Sequence, residues 1–215
     1  MSLLLIVFPI LVGAQTEQGD VTLGLSSGLD FDINAYNYNV FLGKSNPYYY
    51  YGQNPQYNIG ADLGIAITNR MRLRFELKYI NIKNAINLDS AEINSNSFTF
   101  KDVVVNLSYV GANVRFDYLF LSLNKLEIFV SPAVKFEHLL GWTWTNGPVA
   151  QQMDYYGPNY IAGGAVSLLF KYNISNHVAI TLTPDYTLFF REFEMNQDGR
   201  LYQRFSTNLG LEFKF

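Results

Sequence analysis

RLRFELKY, residues 72–79, sorts its side chains by parity. Leu73, Phe75, Leu77 and Tyr79 fall on one side, and Arg72, Arg74, Glu76 and Lys78 on the other. A helix would spread those four charges around its circumference. A strand, whose side chains alternate from face to face, gathers the apolar ones on one surface and the charged ones on the other. The fold therefore has to supply one apolar and one polar surrounding along the same strand.

The sorting recurs along the chain. Val21, Leu23, Leu25, Leu29 and Phe31 oppose Asp20, Thr22, Gly24 and Asp30. Ile59, Leu63 and Ile65 oppose Gly60, Asp62 and Gly64. Val114, Phe116, Tyr118 and Phe120 oppose Asn113, Arg115 and Asp117. Leu126, Ile128, Val134 and Phe136 oppose Glu127, Lys135 and Glu137, and Val166, Leu168 and Phe170 oppose Ser167 and Lys171. Ile180, Leu182 and Tyr186 oppose Thr181, Thr183 and Asp185, and Leu209, Leu211, Phe213 and Phe215 oppose Asn208, Glu212 and Lys214. Eight strands are predicted, at about 19–31, 57–68, 71–84, 100–120, 125–140, 160–174, 177–192 and 202–215. Most exceed the ~9–11 residues a tilted strand needs to cross a bilayer. The pattern slips near Ile80 and near Gly111, where a bulge or a rise of the strand above the bilayer is expected.

The expected connections alternate in length. Those at Asn69-Arg70, Leu121–Asn124 and Ser175-Asn176 are short, and those at 32–56, 85–99, 141–159 and 193–201 are long. In an up-and-down barrel this puts the short turns and both termini at one end and the long loops at the other. Outer-membrane barrels have that asymmetry, with the short turns in the periplasm. The predicted fold is all-β: an eight-stranded antiparallel transmembrane barrel with a filled interior, four outer loops, and termini on the periplasmic side.

Composition agrees. The chain is 49% hydrophobic and 15% charged, where soluble domains average ~25% charged. Its formal charge of −3 points away from nucleic acid, and the absence of cysteine removes disulfides and thiolate chemistry. SLLLIVFPILVGAQ (2–15) reads as a signal-peptide core with a small-residue cleavage site at Ala14, although no Lys or Arg precedes it. Residues 1–14 are thus assigned to a signal peptide and 15–215 to one barrel domain. Beyond residue 14 no apolar run approaches the ~20 residues of a membrane helix.

A soluble, lipocalin-like barrel would show the same alternation turned inside out. Four features favour the membrane. Tyr57, Tyr79, Tyr118, Tyr172 and Phe190 stand near strand ends, as an interfacial girdle does. Gly24, Gly28, Gly60, Gly64 and Gly210 lie on the polar face, where a narrow interior needs small residues. Charges of both signs share that face, and the last strand ends in Phe215. The expected interior network comprises Asp62, Arg72, Arg74, Glu76, Lys78, Arg115, Asp117, Glu127, Lys135, Glu137, Asp185, Glu212 and Lys214. An eight-stranded barrel is only wide enough for its own side chains, so no diffusive channel is expected.

The export signal, the eight strands, and LEIFVSPAVKFEHLLG (126–141) within 103–141 resemble the PorT-like outer-membrane β-barrel family. The resemblance is one of facing pattern over most of 19–215. It implies an accessory part in protein secretion, and it implies that Phe213 and Phe215 form the terminal signal read by the barrel assembly machinery.

Two loops draw attention as binding surfaces. The first, at 34–57, carries Tyr48, Tyr49, Tyr50 and Tyr51. The third, at 141–160, carries Trp142, Trp144, Tyr155 and Tyr156. Tyr, Trp and Asn combine flat contact area with adaptable hydrogen bonds, which suits a glycan or protein ligand; an aromatic belt is the plainer use. A lipid-modifying enzyme would need a His beside a Ser and an acid. His138 falls on the apolar phase and His177 in a short turn, so no enzyme is expected. No metal spacing or nucleotide loop is present, and no cofactor is expected. The partners expected are outer-membrane lipid, the assembly machinery and the unknown loop ligand.

Overall fold

The computed structural model describes residues 17–32, 55–93, 96–145, 160–190 and 202–215. At 32, 84–93, 96–105, 144–145 and 202 it describes the backbone alone. Eight strands follow in order: β1 (Val21–Asp32), β2 (Gln56–Thr68), β3 (Met71–Ile93), β4 (Asn96–Leu123), β5 (Leu126–Thr145), β6 (Tyr160–Asn173), β7 (Val178–Phe189) and β8 (Tyr202–Lys214). Each pairs antiparallel with its chain neighbours, and β8 returns to β1 through Leu25↔Leu211 and Gly28↔Asn208, closing the barrel. The Phe215 amide donates to the Val21 carbonyl at 2.9 Å, so the pairing is kept up to the last residue.

The three short turns are built from residues suited to them. Thr68 Oγ1 accepts the Arg70 amide at 3.2 Å. Asn124 adopts a left-handed φ of 50°, which its short amide tolerates better than most side chains. Ser175 Oγ accepts the Val178 amide at 3.1 Å.

At the other end two expectations fail. The predicted 85–99 loop is largely strand: β3 runs to Ile93 and β4 begins at Asn96, leaving two residues between them. The long-loop pattern therefore does not hold at this position. The segment AINLDSAEI (85–93) lacks alternation, and so it read as a loop. Backbone pairing does not need alternation where neither face is apolar. The register there is irregular, shifting between Ile86 and Leu88 and again between Leu88 and Ala91.

Of the two readings of the pattern change near Ile80 and Gly111, a bulge or a rise of the strand above the bilayer, the bulge fails as well. Pairing is continuous from Arg72↔Asp117 through Lys78↔Gly111 to Ile82↔Leu107, and Ile80, Ile82, Leu107 and Tyr109 all stay inside, at most 3% exposed. The chemistry of the interior changes there, and the facing does not. The register shifts fall elsewhere, leaving Ile67, Phe120 and Leu140 as the extra residues.

The outward surface is an apolar belt. Leu25, Ile59, Leu77, Phe136, Val166, Tyr172, Leu209 and Phe215 are all at least half exposed. Along β1–β8, between Lys83 and the short turns, no outward-facing described residue carries a charge. Such a belt is unstable against water and favourable against hydrocarbon.

Candidate functional site

The charged faces of the strands meet in the lumen, where seven cations and eight carboxylates are buried. Buried charges of this number are tolerable only when paired and hydrogen-bonded. Strand register does the pairing. On β3 and β4, Arg72 stands opposite Asp117 and Glu76 opposite Asn113.

Two chains of ion pairs result. In the first, Arg72 Nε donates to Asp117 Oδ2 at 2.9 Å and Arg72 Nη1 to Glu212 Oε2 at 2.6 Å. Arg74 Nη2 reaches Asp117 Oδ1 at 3.1 Å, and Lys171 Nζ lies 2.9 Å from Glu212 and 3.5 Å from Glu127. Three cations thus face three carboxylates. The Arg72 guanidinium also lies 5.3 Å from the Phe129 ring centroid.

In the second chain, Lys78 and Arg115 hold Glu76 at 3.1 and 3.0 Å, and Asn113 adds an amide donor at 2.8 Å. Arg115 continues to Asp185 Oδ2 at 2.8 Å, and Lys135 Nζ donates to Asp185 Oδ1. Ser167 and Thr187 complete the shell, accepting from Arg115 and Lys135 at 2.8 and 2.7 Å. A third, separate pair joins Arg204 to Glu137 at 2.7 Å, with Arg204 5.1 Å from the Phe189 ring centroid.

The thirteen residues expected inside are placed as follows. All except Lys214 are buried. Lys214, at 25% exposure, pairs with Asp20 at 2.7 Å at the short-turn mouth. Asp62 is buried beside Gly24 and has no direct ion pair among the described residues. Three buried charges were missed: Lys171, Arg204 and Asp30, the last accepting from Asn58 Nδ2 at 2.9 Å. Parity could have found them, since Asp30 shares a face with Thr22, Lys171 with Ser167, and Arg204 with Asn208.

Apolar residues close the lumen at two levels. Leu119, Phe129 and Leu169 cluster toward the short-turn end. Ile80, Ile82, Leu107, Tyr109, Ile161 and Phe189 are buried toward the other. Between the first level and the short-turn mouth lies an open cavity of about 410 Å³, lined by Glu17, Lys171, Asn173, His177, Glu212 and Lys214 among others.

The expected third loop begins as strand, since β5 runs to Thr145, and Trp142 is half-buried there, opposite the inward Leu107. Trp144 pairs its backbone with Val105. Tyr48, Tyr49, Tyr50, Tyr51, Tyr155 and Tyr156 lie outside the described residues, as does the 1–14 segment. His138 faces outward and stacks on Tyr160, ring centroids 4.6 Å apart. His177 is exposed in the β6–β7 turn, its Nδ1 3.3 Å from the Lys214 carbonyl.

No protein-family profile and no curated protein matches the chain. Solved structures do. OprG, an outer-membrane protein of Pseudomonas aeruginosa, superposes with a TM-score of 0.63 over 94% of this chain and 98% of its own, at 10% identity. Ail, the attachment invasion locus protein of Yersinia pestis solved with the heparin analogue sucrose octasulfate, gives 0.53 over 92% and 99%, at 6% identity. Outer Membrane Protein W of E. coli gives 0.50 over 93% and 99%, at 10% identity. At these identities the likeness is one of architecture. The chain has the fold of the eight-stranded outer-membrane barrels.

Proposed function

We propose that this protein is an outer-membrane barrel that works through its ends, as a structural element or as a surface carrying aromatic-rich loops for a glycan or protein ligand. One observation carries the reading. The outer wall is an uncharged apolar belt while the lumen is filled with paired charges. That inverts a soluble barrel and leaves no passage or internal ligand space through the middle. Whatever the barrel recognises must then meet it outside the bilayer, and the Tyr- and Trp-bearing segments at 34–57 and 141–160 are the surfaces best suited to recognition. The role is non-enzymatic.

The membrane part is tested by heat-modifiable gel mobility of detergent extracts: a folded barrel migrates differently before and after boiling, and an unchanged band overturns the placement. The binding part is tested by deleting 44–55. Loss of cell adhesion or glycan binding with mobility intact is expected, and unchanged binding sinks the loop reading. An accessory part in protein secretion is the second reading. Its support is the likeness of 103–141 and of the Phe213 and Phe215 ending to PorT-like barrels. A null strain that still exports its secreted proteins normally removes it.

A further inference from the structure

The apolar belt ends on β3–β5 in a compact patch of hydrogen-bond donors. Tyr79 and Val110, paired across β3 and β4, and His138, paired with Val110, form its lower border. Directly above, Asn81 faces Ser108 and Lys83 faces Asn106. Thr143 pairs with Asn106 and Gly141 with Ser108 on the third strand. All these residues are exposed or half-buried on the outward side.

The patch has a definite polarity. Ser108 Oγ accepts the Tyr79 hydroxyl at 3.0 Å and the Asn81 amide at 3.3 Å. Both of its lone pairs are then engaged, and its own O–H is left to donate outward. Asn81 retains a second N–H. The Lys83 ammonium is exposed and forms no ion pair among the described residues. No carboxylate stands on the described outward face around it. The extra residue Leu140 brings Gly141 beside Ser108, and a Cβ there would meet nothing within 4 Å, so the wall is open at this point.

We infer that this patch binds the phosphate of a lipid headgroup in the outer leaflet. The inference rests on the membrane placement proposed above and deepens it. A donor cluster holding one cation, continuous with an apolar wall, matches a molecule with an anionic head and apolar chains. The acyl chains lie on the belt below Tyr79 and the phosphate sits against Lys83 and Ser108. A free anion would gain the same donors without the belt.

The test uses Val110→Trp in a chain whose own tryptophans are removed by Trp142→Phe and Trp144→Phe, because Val110 faces outward at the border of the patch whereas Trp142 lies opposite the inward Leu107. The full chain is refolded into phosphatidylcholine vesicles with a fixed fraction of either brominated phosphatidic acid or brominated phosphatidylcholine. Tryptophan quenching reports the lipid next to the patch. Arg70 and Lys125, exposed at the short turns, stand at the far end of the barrel and do not contribute. One cation at a membrane surface gives roughly five-fold local enrichment of an anionic lipid. Stronger quenching by brominated phosphatidic acid is expected, lost in Lys83→Gln and reduced in Ser108→Ala.

Equal quenching by the two lipids overturns the inference, and so does a preference that survives Lys83→Gln. Loss of the preference on adding inorganic phosphate at constant ionic strength assigns the site to a free anion and overturns the lipid assignment. Heat-modifiable mobility is read on every sample. A chain that never inserts removes the membrane placement itself, a failure distinct from an inserted barrel without lipid preference.

Discussion

Asp185 holds two cations at once, Arg115 at 2.8 Å and Lys135, while Thr187 Oγ1 donates to it at 2.9 Å. Asp185→Asn keeps the shape and removes the charge, leaving a guanidinium and an ammonium buried without their shared anion. Breaking one partner out of a buried pair costs about 3–5 kcal/mol. The expected result is a lower urea midpoint for the refolded barrel with little change in slope. Glycines give a second residue-scale prediction. A Cβ at Gly28 would come within 2.2 Å of the Thr207 carbonyl oxygen, which is backbone and cannot turn aside. At Gly111 the nearest atoms are 3.6 Å away, an ordinary contact. Gly28→Ala should therefore abolish the heat-modifiable band, and Gly111→Ala should leave it unchanged. Gly111 read from sequence as a bulge or as the start of a rise above the bilayer; in the barrel it is a regular ladder residue opposite Lys78. At this scale facing was legible and pairing was not. Parity shows that Arg72 points inward, but that it bridges Asp117 on β4 and Glu212 on β8 depends on the closure of the sheet.

At the scale of the strand, the belt and the lumen make opposite demands on neighbouring residues. β8 shows it most plainly, with Leu209 and Leu211 outward beside Asn208 and Glu212 inward. Leu209 is 62% exposed near the middle of its strand, paired with Leu182 and Ser27. An arginine on the lipid face near the bilayer midplane costs about 2–4 kcal/mol. Leu209→Arg should lower the unfolding midpoint in phosphatidylcholine vesicles by that amount, and Leu209→Ala by clearly less. Equal effects would mean that the outward face does not meet hydrocarbon. Strand existence was readable wherever one face is apolar, because the alternation then records two environments. It failed at 85–99, where the β3–β4 hairpin continues and no apolar surrounding imposes a pattern. The extra residue at Leu140 escaped notice for a related reason. It lies where outward residues turn polar, so one insertion disturbs no obvious periodicity.

The whole molecule is a cylinder closed by its own side chains, and this governs conductance. A solute entering from the short turns finds the open mouth and then the Lys171–Glu212 pair at 2.9 Å, both under 5% exposed. Beyond it stand Leu119, Phe129 and Leu169, then the Arg115–Asp185 layer, then the buried Ile80, Tyr109 and Phe189. An ion passing through would have to part pairs in a medium where their attraction is strong and water is scarce. The wild-type protein in planar bilayers should therefore show no nanosiemens-scale steps. Lys171→Ala combined with Glu212→Ala removes the innermost polar lining of the mouth and deprives Arg72 and Glu127 of partners, but it leaves both apolar levels in place. The double variant should accordingly be less stable and equally silent. Steps in the wild type would overturn the closed lumen. Steps confined to the double variant would identify the ion pair as the barrier and show that the apolar levels part once it is gone.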